Sequence, residues 1–150
     1  MTDEEVRTAI KTIIATACPN AVIWPYNVLS HKLSEWPAPF KKTNGSVEGW
    51  MIMRTRIEAH WKNASREKAT WYYTILGFYD FRTGKINDNS DDEWAVMIDA
   101  VRAGLKAAPT LGINCVEKHD LLQVAANTTI DTGEQTVHLA NCSLAVHVCD

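Results

Sequence analysis

The sequence predicts an α+β fold, in which a mostly antiparallel sheet carries two amphipathic helices packed on one face. Three observations support this prediction. Two segments begin with a capping box and continue with apolar residues at helical spacing. Between them lie two long stretches that are rich in aromatic and β-branched residues, and two more segments of strand character end the chain. The predicted order is α-β-(loop)-β-β-α-β-β, in a single domain over residues 1–150.

The first predicted helix begins at Thr2–Glu5, a T-x-x-E capping box with acidic residues in the first turn. It ends before Pro19, because a proline disfavours helical backbone at the preceding residue. Its apolar stripe consists of Val6, Ile10, Ile13, Ile14 and Ala17. The apolar segment Ala21–Trp24 lies directly before Pro25 and is predicted to be a short edge strand.

A long loop follows over residues 27–47, and it contains Trp36, Phe40, Lys41 and Lys42. A loop of this length in a compact domain is usually functional or mobile. Large aromatic side chains are seldom left in water. We therefore expect the loop either to fold back onto the domain or to dock onto a neighbouring subunit.

The central feature is a predicted β-hairpin, whose strands are Glu48–Trp61 and Thr70–Arg82, joined through residues 62–68. Period-two alternation separates an apolar face of the first strand from a polar one. The predicted core face holds Met51, Met53, Ile57, Ala59 and Trp61. The predicted outer face holds Arg54, Arg56, Glu58 and His60. In the second strand the core face is Trp71, Tyr73, Ile75, Tyr79 and Phe81.

The second predicted helix begins at a further capping box, Ser90–Glu93, and ends before Pro109. Its apolar stripe consists of Trp94, Ile98, Val101, Leu105 and Ala108. Two strands are predicted after this helix, Leu121–Ala125 and Gln135–Cys149, with a turn at Asp131–Gly133 between them. Alternation along the last strand places six residues on one face: His138, Ala140, Cys142, Leu144, Val146 and Val148.

Composition and charge restrict the classes of function. Hydrophobic residues make up 46% and charged residues 22% of the chain, as in globular proteins. The formal net charge of −3 argues against direct nucleic-acid readout, which needs a basic surplus. The N-terminal residues lack an apolar signal region and no run is long enough to span a bilayer, so we expect a cytoplasmic protein without membrane contact. The four cysteines form no C-x-x-C pair and are expected to be reduced.

Two groups of residues raise the question of catalysis or metal binding. Glu58 or His60 could act as a general base, but no nucleophile, phosphate loop or metal motif accompanies them, which favours charge pairing across strands. Zinc-ligand residue types recur in the last strand as His138, Cys142, His147 and Cys149. Alternation places the first two on one face and the last two on the other, which disfavours a shared metal ion. We predict a protein that is not an enzyme, with no catalytic residue, metal or cofactor.

In the order of its elements and in a few local sequences, the chain resembles the tail-terminator (tail-completion) proteins of long-tailed bacteriophages. These sequences are Glu4–Ile10, Asp92–Ile98 through Ala108–Leu111, and Val137–Val148. The resemblance implies a virion structural protein that forms a ring, expected to be a hexamer, which caps the tail tube and joins the tail to the head. Its implied partners are further copies of the chain, the tail tube protein and the head–tail connector protein. The implied location is the host cytoplasm during assembly and the virion tail afterwards.

A closed ring requires two different contact patches on every subunit. We predict that one patch is the Trp36–Phe40 loop and that the other is the polar face of the first hairpin strand. The candidate interface residues, which include the basic tips of two loops, are Trp36, Phe40, Lys41, Lys42, Arg54, Arg56, Glu58, His60, Arg66 and Lys68. Two alternatives stay open: a small-molecule-binding or enzymatic module on a ferredoxin-like α+β scaffold, and a neighbouring head–tail joining protein.

Overall fold

A computed structural model describes residues 1–62, 66–82 and 89–149. Its helices are α1 (Asp3–Ala17) and α2 (Ser90–Lys106). Its strands are β1 (Val22–Trp24), β2 (Glu48–Lys62), β3 (Glu67–Asp80), β4 (Val116–His119), β5 (Gln123–Asp131) and β6 (Thr136–Cys149). Two short 3-10 turns, Leu33–Glu35 and Ala38–Phe40, lie in the long loop. The predicted α+β class with a mostly antiparallel sheet is confirmed. The middle of the predicted hairpin connection, residues 63–65, lies outside the described residues.

The described strands form one sheet in the order β1-β2-β3-β6, and β4 and β5 share the outer side of β6. β1 pairs with β2 in parallel, and the other pairs are antiparallel. β4 lies beside residues 146–148 of β6 and β5 lies beside residues 136–143. The sequence does not predict β4, and it places β5 too early, at Leu121–Ala125. The described order of elements also differs from the β-α-β-β-α-β order of a ferredoxin-like scaffold.

Both helices cover the same face of the sheet, as predicted. α1 begins at the Thr2–Glu5 capping box and buries Val6, Ile10 and Ile14. α2 buries Trp94, Ile98, Val101 and Leu105. Its cap differs from the prediction, because the N-cap is Asn89, whose side chain accepts a hydrogen bond from the Asp91 backbone. Ser90 is instead buried inside the first turn.

The principal core lies between the helices and the sheet. Trp50 of β2 and Trp94 of α2 stack with ring centroids 5.1 Å apart, and Tyr79 stacks on the other side of Trp94 at 5.7 Å. Gly77 of β3 lies beneath this stack, where an added Cβ would be 2.6 Å from the Trp50 ring and 2.7 Å from the Trp94 ring. The glycine is therefore required for the two indoles to reach the sheet.

A second, smaller core covers part of the opposite sheet face. The long loop folds back over β2, β3 and β6, so that Phe40 stacks on Phe78 at 4.6 Å and Trp36 meets Phe78 edge-on at 6.5 Å. Trp24 Nε1 donates a hydrogen bond to the Pro39 carbonyl at 2.9 Å, which holds the loop to the edge of the sheet. Of the two expectations for this loop, folding back is the one observed. The first half of β2 is consequently buried on both faces.

Two β-bulges in β2 overturn the predicted faces of the hairpin. The register with β3 shifts between Arg54 and Arg56 and again between Ala59 and Trp61. Each bulge adds one unpaired residue, and this reverses the side to which the following residues point. Arg54 therefore shares the helix-covered face with Trp50, whereas Arg56 and Glu58 lie on the opposite face. The predicted single polar row is wrong for this reason, and Ile57 and Trp61 are exposed rather than buried.

Neither helix combines the length and the apolar character that crossing a bilayer requires, as judged over the described part of the chain.

Candidate functional site

In the half of the β2–β3 hairpin beyond β1, the β2 strand is largely uncovered. We define the distal hairpin as residues 54–61 of β2 together with residues 68–72 of β3. Every residue from Thr55 to Trp61 is exposed. β1 pairs with β2 only over Gly49–Met51, and past that point no other described strand lies along the outer edge of β2. Such an edge presents backbone N–H and C=O groups that another chain can bind.

The distal hairpin also exposes two large apolar side chains. Ile57 is 47% exposed and Trp61 is 48% exposed. Tryptophan is enriched among the residues that contribute most to the stability of protein–protein interfaces. The distal hairpin therefore combines an open strand edge with side chains suited to a buried contact.

Arg54 and Arg56 lie over aromatic rings on opposite faces of the distal hairpin. The Arg54 guanidinium is 4.8 Å from the centroid of the Trp71 ring, and that of Arg56 is 4.1 Å from the centroid of the Tyr72 ring. Arg56 Nη2 also lies 3.5 Å from Glu58 Oε2. A cation–π contact at an exposed site contributes about 0.5–1 kcal/mol, so the two arginines stiffen the hairpin surface modestly.

Asp3, in the first turn of α1, connects the helix layer to the base of the distal hairpin. Its carboxylate accepts hydrogen bonds from Arg7 Nε at 2.9 Å and from the Tyr73 hydroxyl at 3.0 Å. The same carboxylate lies 3.8 Å from Arg54 Nε. Burial, reinforced by the charge of Asp3, raises the pKa of Tyr73 far above its ordinary value, so the phenol remains a hydrogen-bond donor.

A chain of polar contacts crosses three strands on the face opposite the helices, and we call it the Thr70 network. Its members are Glu58, His60, Thr70, His147 and Asp120. Thr70 Oγ1 lies 2.6 Å from His60 Nε2 and 3.0 Å from His147 Nδ1. At the two ends, His147 Nε2 is 2.9 Å from Asp120 Oδ1, and His60 Nδ1 is 3.8 Å from Glu58 Oε1. The network joins β2, β3, β6 and the segment between β4 and β5.

The carboxylate of Asp120 allows a direction to be assigned to the hydrogen bonds in the Thr70 network. A carboxylate only accepts, so we assign to His147 Nε2 the N–H that donates a hydrogen bond to Asp120. In the neutral imidazole, Nδ1 of His147 then accepts the hydrogen bond from the Thr70 hydroxyl. Thr70 Oγ1 in turn accepts from His60 Nε2–H. Every polar atom at the centre of the network is satisfied in this arrangement.

The order Asp120, His147, Thr70 matches that of an acid–base–nucleophile triad, but the hydroxyl is in the wrong place for catalysis. Nucleophilic catalysis requires the oxygen to reach a substrate carbon. Thr70 is only 1% exposed, and its hydroxyl lies between two imidazole rings. The charge pairing across strands that the sequence predicts for Glu58 and His60 is not observed among the described residues, because Glu58 pairs with Arg56 and His60 of its own strand. Across strands, Glu58 accepts a hydrogen bond from the Tyr72 hydroxyl and His60 contacts the Thr70 hydroxyl. The other three members were missed, because His147 is 77 residues from Thr70 and no local pattern marks a contact of that range.

The zinc-ligand types of the last strand are divided between the two sheet faces, as alternation predicts. His138 and Cys142 belong to the helix-covered face, and both are buried. His147 and Cys149 lie on the opposite face. Burial raises the pKa of the Cys142 thiol to about 11, which makes it a poor ligand and a poor nucleophile. Over the described ranges, no three His, Cys, Asp or Glu side chains converge as metal ligands.

The remaining predicted interface residues lie in the long loop before β2 or just after the end of β2. Phe40 is fully buried within its own chain, so the prediction that it contacts another subunit is wrong. Trp36 is half-buried, and its Nε1 donates to the Ser30 carbonyl at 2.9 Å. Near these aromatics, Lys41 is exposed and Lys42 Nζ pairs with Glu48 Oε2 at 2.7 Å. At the far end of β2, Arg66 is exposed and Lys68 pairs with Glu117 at 3.0 Å.

A second open edge lies on the other side of the sheet. β5 pairs with β6 on one side, and no other described strand lies along its outer side. From Gln123 to Ile130 this strand carries neither a charge nor a proline, and most of its residues are exposed. Natural edge strands usually carry such residues, because they prevent association with other strands. The sequence prediction missed this edge, since it assigned only Leu121–Ala125 to the strand.

No protein-family model matches this sequence, and no curated protein matches it at a significant level of similarity. A function must therefore be inferred from the geometry of the chain itself. The features that bear on function are two open strand edges, the exposed side chain of Trp61 and the Thr70 network, whose central hydroxyl is buried.

Proposed function

We propose that this chain is a virion structural protein of the tail-terminator type, which forms a ring that caps the tail tube and joins the tail to the head. The observation that carries the proposal is the presence of two open strand edges on opposite sides of one sheet. One is the outer edge of β2 beyond Met51, and the other is the outer edge of β5. Such an arrangement suits head-to-tail association.

Two unlike edges on one subunit favour a head-to-tail interface, in which β2 of one copy pairs with β5 of the next. Repetition of one such contact builds a ring when the rotation between neighbours closes. β5 is nine residues long, and the open part of β2 has similar length. The exposed side chains of Ile57 and Trp61 would add apolar contact beside the backbone hydrogen bonds. The expected number of six copies comes from the resemblance to tail-terminator proteins.

The first experiment measures the mass and shape of the purified protein. We expect native mass spectrometry to give an assembly of about six copies, and negative-stain images to show a ring with a central opening. A protein that remains a single copy at high concentration would contradict the proposal. A two-fold dimer would also contradict it, since that symmetry uses the same patch on both subunits.

Three variants locate the contact. Trp61→Ser removes the apolar side chain at the β2 edge, and Thr128→Lys places a charge on the exposed β5 edge; both should shift the mass toward the single copy. Val96→Ser is the matched control, because Val96 is 68% exposed and belongs to α2 and not to either edge strand. We expect the control to assemble like the wild type. Circular dichroism of all three variants separates lost assembly from lost folding.

Ring formation by itself does not separate a tail terminator from a head–tail joining protein. Cosedimentation with purified tail tubes makes this distinction, because a terminator contacts the tube and the connector, whereas a joining protein contacts the connector end. We expect rings at one end of the tubes in negative-stain images. Rings that bind only to connector-bearing heads would favour the joining role.

The alternative of an enzymatic module can be tested at the contacts that run from Asp120 through His147 to Thr70. A fluorophosphonate probe tests it directly, because the probe labels an activated hydroxyl covalently. Labelling of the wild type that is lost in Thr70→Val would support an enzyme. Since Thr70 is 1% exposed, we expect no labelling of the folded protein.

A further inference from the structure

Cys115 lies in the turn directly before β4, and Cys149 is the last residue of β6. Val116 of β4 and Val148 of β6 are paired residues in the antiparallel ladder. Just beyond this pair, the Cys149 N–H donates a hydrogen bond to the Cys115 carbonyl at 2.9 Å, which brings the two residues opposite each other. Opposite residues in a hydrogen-bonded antiparallel pair have Cα atoms about 5.5 Å apart, which falls within the range that a disulfide spans.

Contact between the two thiols needs both cysteine side chains on one face of the sheet. Val116 and Val148 are both buried in the principal core under the helices, and Cys149, paired with Lys68, lies on the opposite face. Extending the alternation of β4 back by one residue, into the turn that precedes it, places Cys115 on that face as well. Both are half-buried, so a small reagent can approach them. A directly opposed and accessible pair of thiols is a site for disulfide chemistry.

The other two cysteines differ in every one of these respects. Cys18 is 3% exposed and Cys142 is fully buried, both within the principal core. Burial raises the pKa of each of these thiols, which keeps them in the unreactive protonated form. They therefore serve as internal controls for the opposed pair.

We propose that Cys115 and Cys149 form an intramolecular disulfide by exchange with a small-molecule disulfide such as glutathione disulfide. The thiolate of one cysteine attacks a sulfur of glutathione disulfide, which forms a mixed disulfide and releases one glutathione. The thiolate of the other cysteine then attacks the protein sulfur of that mixed disulfide and releases the second glutathione. Two thiol protons are given up, and the two electrons that the cysteines lose reduce one glutathione disulfide to two glutathiones.

The new bond would tie the start of β4 to the end of β6. It closes a loop of about 35 residues that contains β4, β5 and most of β6, and such a cross-link restricts the unfolded chain. The oxidised protein should therefore unfold at a higher temperature than the reduced protein. This inference stands apart from the proposed ring, because it depends only on contacts within one subunit.

The test incubates the folded protein with glutathione disulfide, quenches with acid, denatures the protein and alkylates the remaining thiols. We expect two alkylated cysteines, a Cys115–Cys149 peptide pair in the mass map, and a midpoint of thermal unfolding that is several degrees higher. Four alkylated cysteines after prolonged incubation would overturn the proposal. A disulfide that joins two chains, or one that includes Cys18 or Cys142, would overturn it as well.

Single variants give an independent readout that does not need the intramolecular bond. In Cys115→Ser and in Cys149→Ser the exchange cannot be completed, so the remaining cysteine should hold one glutathione as a stable mixed disulfide. Both positions are half-buried, and serine is close to cysteine in size, so we expect both variants to fold. Absence of glutathione from both folded variants would show that the thiols are not accessible and would reject the site.

Discussion

Trp50 and Trp94 stack across the interface between the sheet and α2, with ring centroids 5.1 Å apart and an angle of 29° between the ring planes. These two residues have the largest side chains in the principal core, and both are almost fully buried. Trp94 Nε1 donates to Asn127 Oδ1 of β5 at 3.2 Å. The stack therefore connects the β2 side of the sheet to α2 and, through that hydrogen bond, to the outermost strand.

Substitution of Gly77 tests how tightly this stack is packed. In Gly77→Ala the new methyl carbon would be 2.6 Å from the Trp50 ring and 2.7 Å from the Trp94 ring. Both indoles would have to move, and overpacking of this kind costs about 1–3 kcal/mol. We expect the free energy of unfolding, measured by denaturant titration, to fall by that amount.

Gly104→Ala is the matched control for this substitution. Gly104 lies in α2, where an added Cβ would be 3.1 Å from Ile13 Cγ2, a contact that a shift of a few tenths of an ångström relieves. Alanine is favoured over glycine inside a helix by about 1 kcal/mol, which offsets mild crowding. We expect little change in stability. Equal losses in the two variants would argue against a special role for the Trp50–Trp94 stack.

Local patterns predict the helices because their determinants lie within a few residues. The Thr2–Glu5 capping box and the spacing of Val6, Ile10 and Ile14 are enough to locate α1. The cap of α2 was misplaced by one residue, since Asn89 and Ser90 are both good N-cap residues. Tertiary contacts decide between them: Ser90 Oγ lies 2.9 Å from His138 Nε2, so that hydroxyl is needed in the core.

The faces of β2 were not predictable from alternation, because two bulges and a second core intervene, whereas those of β6 follow alternation. Alternation treats Arg54 and Arg56 as neighbours on one face, but the bulge between them places them on opposite faces. Nothing in the local sequence marks that bulge. The same limitation applies to Phe40, whose burial depends on contact with Phe78, and to the long-range contact between Thr70 and His147.

The second core predicts a clear difference between two residues of the same loop. Phe40 is fully buried against Phe78, so Phe40→Ala should lower the free energy of unfolding by about 3–5 kcal/mol. Leu33 is 43% exposed, and Leu33→Ala should change the free energy of unfolding by less than about 0.5 kcal/mol. Urea titration checks both values. A small effect at Phe40 would mean that the loop does not pack as described.

The Thr70 network predicts a moderate cost for removing one hydroxyl. Thr70→Val keeps the shape of the side chain but leaves His60 Nε2 and His147 Nδ1 without their shared partner, which should cost about 1–2 kcal/mol of unfolding free energy. Thr74→Val, four residues along on the same face of β3, is the control and should be close to neutral. Nitrogen-15 NMR of the histidine rings supplies a second check. We expect His147 to carry its proton on Nε2, and a proton on Nδ1 alone would contradict the proposed direction of the network.

His138 predicts a loss of stability as the pH falls. Burial lowers the pKa of His138 below its ordinary value, against the opposing charge of Asp91, whose Oδ1 lies 3.4 Å from Nε2. Between the lowered pKa of the folded state and the unfolded value of about 6.5, the unfolded chain binds more protons, so stability decreases as the pH decreases through that window. His138→Gln should flatten the slope of unfolding free energy against pH below about pH 6.5, whereas substitution of the exposed His31 by glutamine should leave it unchanged. Identical slopes in the wild type and His138→Gln, measured by denaturant titration from pH 7.5 downward, would show that His138 is not held in its neutral form.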